Sequence, residues 1–246
     1  MDAVEGNLRT AIALREVYVL PSYEGTVVSK FDNTYAAHAM GLIRDQLTLS
    51  VVAAVSRIWD GTPGAKSVPA LINILRRPVV RDAVVRERRA TALSLTTAEP
   101  LATEMKDDQA LAAAIGRMAE RDADQAQTEF ERALSGVDRR IRAFMGSDAT
   151  QSLKAMRDRV VAHTLEETRA EKAARESGET IAPLKRSDLD QILDETIAIV
   201  TELDQVVRAH HPSFEKLASV WKAYSNDFWQ RISAEPKGRP TKTQQA

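Results

Sequence analysis

No proline interrupts residues 27 to 59, and through that stretch, "VVSKFDNTYAAHAMGLIRDQLTLSVVAAVSRIW", apolar side chains return at spacings of three and four. That is the period of a helix with one buried face, not the alternation of a half-buried strand. Only Gly41 weakens the pattern, so a helix of roughly 50 Å at 1.5 Å per residue is expected, ended by the breaker cluster "DGTPG". The same spacing runs through most of the chain, while runs of β-branched residues bounded by tight turns are nearly absent. The expectation is an all-α fold, an antiparallel bundle of about six to eight helices.

Punctuation divides the rest. A first helix from about Ala3 to Leu20 is expected to stop at Pro21, which lacks a backbone donor and disfavours helix before it. Ser67 is placed to cap a short helix through Arg76 with Pro69 in its first turn, and Pro78 to open another through about Leu93. Residues 101 to 145 form one charge-laced helical pattern that Gly136 softens or kinks, and a helix from about Ala149 to Thr168 follows "GSD". Ser187 with Asp190 resembles a capping box for a helix through Arg208, with Leu189, Ile192, Leu193, Ile197, Val200 and Leu203 as its apolar face. A last helix carries Trp221, Tyr224, Phe228 and Trp229. Residues 1 to 234 read as a single domain, with a mobile charged connector near 166 to 186 and a disordered tail at 235 to 246.

Composition narrows function. With 34 basic and 35 acidic residues, no global field draws the chain to a polyanion, so any nucleic-acid contact must be local. The absence of cysteine excludes disulfides, thiolate metal sites and cysteine nucleophiles, and suits a reducing cytosol. The start, "MDAVEGNLRT", does not read as a signal peptide, and the most apolar window, residues 47 to 59, is too short to span a bilayer. A cytoplasmic protein with no membrane partner is expected. No Walker loop, dinucleotide fingerprint, G-x-S-x-G or H-E-x-x-H motif is present, so neither cofactor nor metal is expected.

One short stretch carries chemistry: "RDRVVAH", residues 157 to 163. On a helical wheel Leu153, Met156, Val160 and Thr164 form one stripe, with Arg157 and His163 on opposite flanks roughly 120° apart. Both polar side chains therefore border a face that must pack on something, and a second copy of the same helix would bring two Arg and two His to one seam. Histidine titrates near neutrality and serves as base or acid, while arginine stays charged and grips phosphate oxygens in a bidentate way. Asp158 is placed to orient Arg157 by a charge-assisted hydrogen bond, and Arg159 to make an auxiliary RNA contact. The structural alternative is that Arg157 lays its stem along the core and pairs with an acid while His163 is a satisfied interfacial histidine.

Other candidates carry less. His38 shares a stripe with Tyr35, Leu42, Asp45 and Leu49 and reads as a core histidine near an acid. His210 and His211 precede Pro212 at a helix C-terminus, where imidazolium suits the dipole. The basic run "RRPVVRDAVVRERR", residues 76 to 89, either tracks a phosphate backbone or, more commonly, is a solvated face paired with acids.

"RDRVVAH" resembles the signature of HEPN domains, an arginine and a polar residue followed by a histidine late in a helical bundle. Together with "YAAHAMGLIRDQLTLSVVAAVSRIWD", "SVPALINILRR" and the charged gap before "IAPLKRSDLDQILDETIAIV", the chain from about Thr34 to Val207 resembles the abortive-infection AbiU-type branch. The resemblance implies a homodimeric, metal-independent ribonuclease of the toxin-antitoxin or phage-defence kind, leaving a 2′,3′-cyclic phosphate. RNA would be its substrate and an antitoxin protein a possible partner. It implies that Arg157 stabilises the phosphate and that His163 is catalytic, with Asp158 at the polar position. Five residues separate the pair, one more than is commonest in the family, and Leu165 stands where one toxin class carries a modified tyrosine, so that control is not implied. Some members are inactive binders, which leaves a non-catalytic module binding nucleotide, RNA or protein as the alternative.

Overall fold

The computed structural model describes residues 1–23, 29, 35–96, 109–162, 175–177 and 184–232. Its helices are α1 (Asp2–Tyr23), α2 (Tyr35–Ile58), α3 (Val68–Leu75), α4 (Pro78–Thr96), α5 (Gln109–Met145), α6 (Asp148–Ala162), α7 (Arg186–Arg208) and α8 (Phe214–Ile232). There is no strand among the described residues, and the fold is the all-α bundle that the apolar spacing predicts. The charged connector, apart from Arg175–Ser177 and its last three residues, and the C-terminal tail lie outside the described residues.

Helical spacing makes each face. Val4, Leu8, Ala11, Ile12 and Tyr18 of α1 are buried, as are Val51, Val52, Val55 and Ile58 of α2. On α7 the buried face is Leu189, Ile192, Leu193, Thr196, Ile199, Val200 and Leu203, with Ile197 only partly buried at its edge. These faces meet Phe130, Leu134, Val137, Ile141 and Phe144 of α5 and Leu153 of α6 in one core. Each fully buried Leu or Ile there contributes about 1.5–3 kcal/mol.

Cross-helix bonds fix directions. Arg15 Nη1 donates to Asp194 at 2.5 Å and Tyr18 Oη to Asp190 at 2.6 Å, while Arg208 Nη1 reaches Asp2 at 3.1 Å, so α1 and α7 run antiparallel. Arg76 Nε with Asp138 (3.1 Å), Arg81 with Glu131 (3.1 Å) and Arg89 with Glu120 (3.2 Å) show the same for α4 and α5. Three of the arginines in the basic run 76 to 89 are thus spent on acids of α5, and Arg88 donates to the carbonyls of Gln205 and Val206.

Several boundaries differ from the sequence reading. The first helix continues through Pro21 to Tyr23. Proline removes the donor that would serve the Val17 carbonyl one turn back, and the buried Trp229 indole supplies it instead, Nε1 donating to Val17 O at 2.9 Å. Trp229→Phe is therefore expected to cost about 1–3 kcal/mol by urea denaturation, and much less in a Pro21→Ala background, where the helix serves its own carbonyl. Equal losses in both backgrounds would contradict this account. The second helix is described only from Tyr35, about 36 Å long. α5 passes Gly136 as one element. The cap of α7 is Lys185 rather than Ser187: Asp188 accepts from the Lys185 N–H at 3.0 Å, and Asp190 is engaged by Tyr18.

The helix Ala36–Ile58 is long and apolar enough to cross a membrane by length and composition, which the 13-residue apolar window did not reveal. Its C-terminal half, however, is packed into the core described above.

Ion pairs on α7 and α5 give the fold an acid limb. Glu195 is held below the usual carboxylate range chiefly by the hydrogen bond from Arg140, whose Nε lies 2.6 Å away. Asp138 is likewise lowered, the bonds from Arg76 and Arg142 outweighing a burial penalty that acts the other way. A depressed carboxylate stabilises the fold above its unfolded value and loses that contribution as pH falls through the folded one. The urea midpoint is expected to fall as pH drops below about 4.5, and less steeply in Arg140→Met.

Candidate active site on helix α6

The helix that carries the motif is fixed at its start. Ser147 caps it, its Oγ accepting from the Thr150 N–H at 3.3 Å and donating to Phe144 O at 2.7 Å, and the buried Thr150 hydroxyl donates to the same carbonyl at 2.7 Å. Leu153 and Ala155 are buried and Met156 packs against the core, with α6 lying on α2, α5 and α7. Of the stripe on which a second copy could pack, Leu153 is thus covered by the chain's own helices, and Met156 in part.

Arg157 remains at the edge of this packing, its side chain 37% exposed. Its Nε and Nη2 both donate to Oδ1 of Asp158, at 2.8 and 2.6 Å. Asp158 thus fixes the guanidinium through two of its five N–H donors. The wheel places Asp158 away from the stripe, and its side chain is 34% exposed, so the pair forms on the accessible flank. The field of Arg157 is felt at Asp60, two residues past the end of α2. Its carboxyl is lowered mainly by the Thr62 hydroxyl and backbone N–H, at 2.6 and 2.9 Å, and further by the charge of Arg157. His163 and Thr164 lie outside the described residues, as do the side chains of Arg159 and Val160.

The other histidines depart from expectation. His38 is exposed, and so are Leu42 (63%) and Asp45 on its stripe, because the face of α2 that packs on α1 and α8 is that of the buried Met40 and of Leu47, not theirs. His210 does not serve the carbonyl end of α7. Its Nδ1 lies 2.8 Å from Asp204, a fully buried carboxylate that also accepts from Arg208 Nε at 2.5 Å, and Arg208 reaches on to Glu5. α7 ends instead on Ala209 in the left-handed conformation (φ 53°). Among the described residues no group of three or more His, Asp or Glu is placed to hold a metal ion.

The model of one protein family, HEPN_AbiU2 (AbiU2), matches residues 2–228, nearly the whole chain. The chain belongs to the AbiU2 family of HEPN proteins. No curated protein and no solved structure gave a match. The family match extends past the stretch from Thr34 to Val207 on which the resemblance rests, taking in α1 and most of α8. That extension fits the packing, since α1 lies against α2, α7 and α8 and is part of the same core. What sequence reasoning missed in this AbiU2 chain is two acids, Asp60 in the turn after α2, which feels the charge of Arg157, and Asp204, buried beneath His210. Asp204 was detectable, because it falls four residues after Val200 on the apolar stripe of α7, and an acid on such a stripe requires partners.

Proposed function

We propose that this AbiU2 protein is a metal-independent endoribonuclease of phage defence, acting in the cytosol. The observation that carries the reading is the family membership joined to the station of Arg157, half-exposed on α6 and aimed by Asp158. Arg157 binds the scissile phosphate and stabilises the charge that builds on it. His163 takes the proton from the ribose 2′-hydroxyl as O2′ attacks phosphorus. The P–O5′ bond breaks, the leaving oxygen takes up a proton, and the products end in a 2′,3′-cyclic phosphate and a 5′-hydroxyl. A homodimer places a second Arg157 and His163 beside the first, and an antitoxin partner keeps the site silent.

Incubating RNA in EDTA with the purified protein, Arg157→Ala and His163→Ala is the test. Cleavage by the wild type alone, with cyclic phosphate ends, is expected. Equal cleavage by all three, or none by the wild type, contradicts it. For the dimer, light scattering is expected to give two copies at tens of micromolar, and a monomer with activity linear in concentration would exclude a shared site.

A second reading rests on the exposed stripe Val220, Tyr224, Phe228 and Ile232 of α8. Apolar surface of this kind suits a binding module. A partner retained by His163→Ala, with no cleavage by the wild type, would favour it.

A further inference from the structure

A cavity of about 810 Å³ lies between the start of α1, the turn from Asp60 to Ser67, and α3. Its volume falls within the range of small-molecule sites. Val4, Pro69, Leu71 and Ile74 give it an apolar lining. The turn that forms its rim is pre-built. Ser67 Oγ donates to Asp60 O at 2.6 Å, the Ala65 N–H reaches Thr62 O at 3.0 Å, and Gly64 sits at φ 87°, where a side chain would be strained.

Charge selects what this cavity takes. Its two acids are already committed, Asp60 to Thr62 and Asp2 to Arg208 at 3.1 Å. Its two side-chain cations, Lys66 and Arg77, are exposed and have no ion-pair partner among the described residues. Elsewhere on the same helices arginines are paired, Arg76 with Asp138 and Arg81 with Glu131. An apolar pocket under two cations unpaired among the described residues fits a ligand with a flat apolar body and negative charge. Asp60 also ties the site to the motif, since it lines this cavity and feels the charge of Arg157.

On the reading that Arg157 holds the scissile phosphate, we infer that this cavity is the subsite for a neighbouring nucleotide of the RNA strand, its base against Leu71 and Ile74 and its phosphate on Lys66 and Arg77. The strand then runs from the exposed flank of α6 across the Asp60 turn to α3. The cavity supplies affinity and register, while Arg157 and His163 supply chemistry.

The experiment uses the full chain and a fluorescent RNA oligonucleotide with every 2′-hydroxyl methylated, so that it binds without being cut. Anisotropy is expected to show affinity falling about tenfold or more in Lys66→Ala/Arg77→Ala and in Ile74→Trp, which fills the cavity, and less than twofold in Lys216→Ala on α8. The slope of log affinity against log salt should shrink by about 1.4 in the double variant, two contacts at roughly 0.7 each. With cleavable RNA the double variant should raise KM and leave kcat nearly unchanged. Should a variant fail to fold, cross-linking of the wild type to 4-thiouridine RNA is expected to label residues 66–77. Affinities within twofold of the wild type for both variants, labelling confined to other segments, or a cavity that takes a free mononucleotide but does not alter RNA affinity would each overturn the subsite. Cavity-dependent binding without any cleavage overturns the nuclease reading alone.

Discussion

Arg157→Ala is expected to lower kcat for RNA cleavage by about 10²–10³-fold, the loss typical when a donor that stabilises transition-state charge is removed. Affinity for uncleavable RNA should fall less than kcat, because the phosphate carries one negative charge already and Arg157 gains its additional stabilisation from the second charge that builds as O2′ attacks. Lysine restores the charge but not the planar fork that Asp158 grips at 2.8 and 2.6 Å, so Arg157→Lys should recover little activity. Asp158→Asn keeps the guanidinium and loosens its aim, with an expected loss of roughly 10–100-fold from weakening a hydrogen bond to a charged group. Single-turnover kinetics on the four proteins check this order. An Asp158→Asn enzyme as fast as the wild type would show that the pair is structural and does not position the arginine for catalysis.

Trp59→Ala is expected to cost about 3–5 kcal/mol, enough to lower Tm by roughly 6–20 °C in a chain of this size. Trp59 is 3% exposed, its ring centroid lies 4.5 Å from that of Phe144, and its indole N–H donates to Thr196 Oγ1 at 2.9 Å. It therefore joins α2, α5 and α7 at one point, directly before the Asp60 turn. Trp59→Phe keeps the volume of one ring and loses the hydrogen bond; Thr196 still donates to Ile192 O at 2.7 Å, so the cost should be about 1–2 kcal/mol. Thermal melts followed by circular dichroism read both, and a Tm drop below about 3 °C for Trp59→Ala would remove Trp59 from the core.

The parts of the fold legible in the sequence were those decided within one helix. Ser67 and Pro69 open α3, and Pro78 opens α4, where the residue types place them, because capping and proline geometry are local. Pro21 misled, because the Val17 carbonyl it leaves unserved is taken by Trp229, 212 positions from Val17 in the chain. His38 misled for the converse reason. A stripe on a wheel shows which residues share a face but not which face its neighbours cover, and on α2 that is the face of Met40 and Leu47, not that of His38.

The candidate site divides in the same way. The pairing of Arg157 with Asp158 is between chain neighbours and could be anticipated from their order. The nearness of Asp60, the burial of Asp204 under His210, and the cavity between α1 and α3 join residues far apart in sequence. The sequence by itself determined the helices and their family, because period, caps and spacing act within a few residues of chain. Only the tertiary structure decided that Leu153 and Met156 of α6 pack on its own bundle, and that Lys66 and Arg77 line a cavity without an ion-pair partner among the described residues. Those outcomes depend on which faces meet, and that is settled by packing among elements that no local pattern relates.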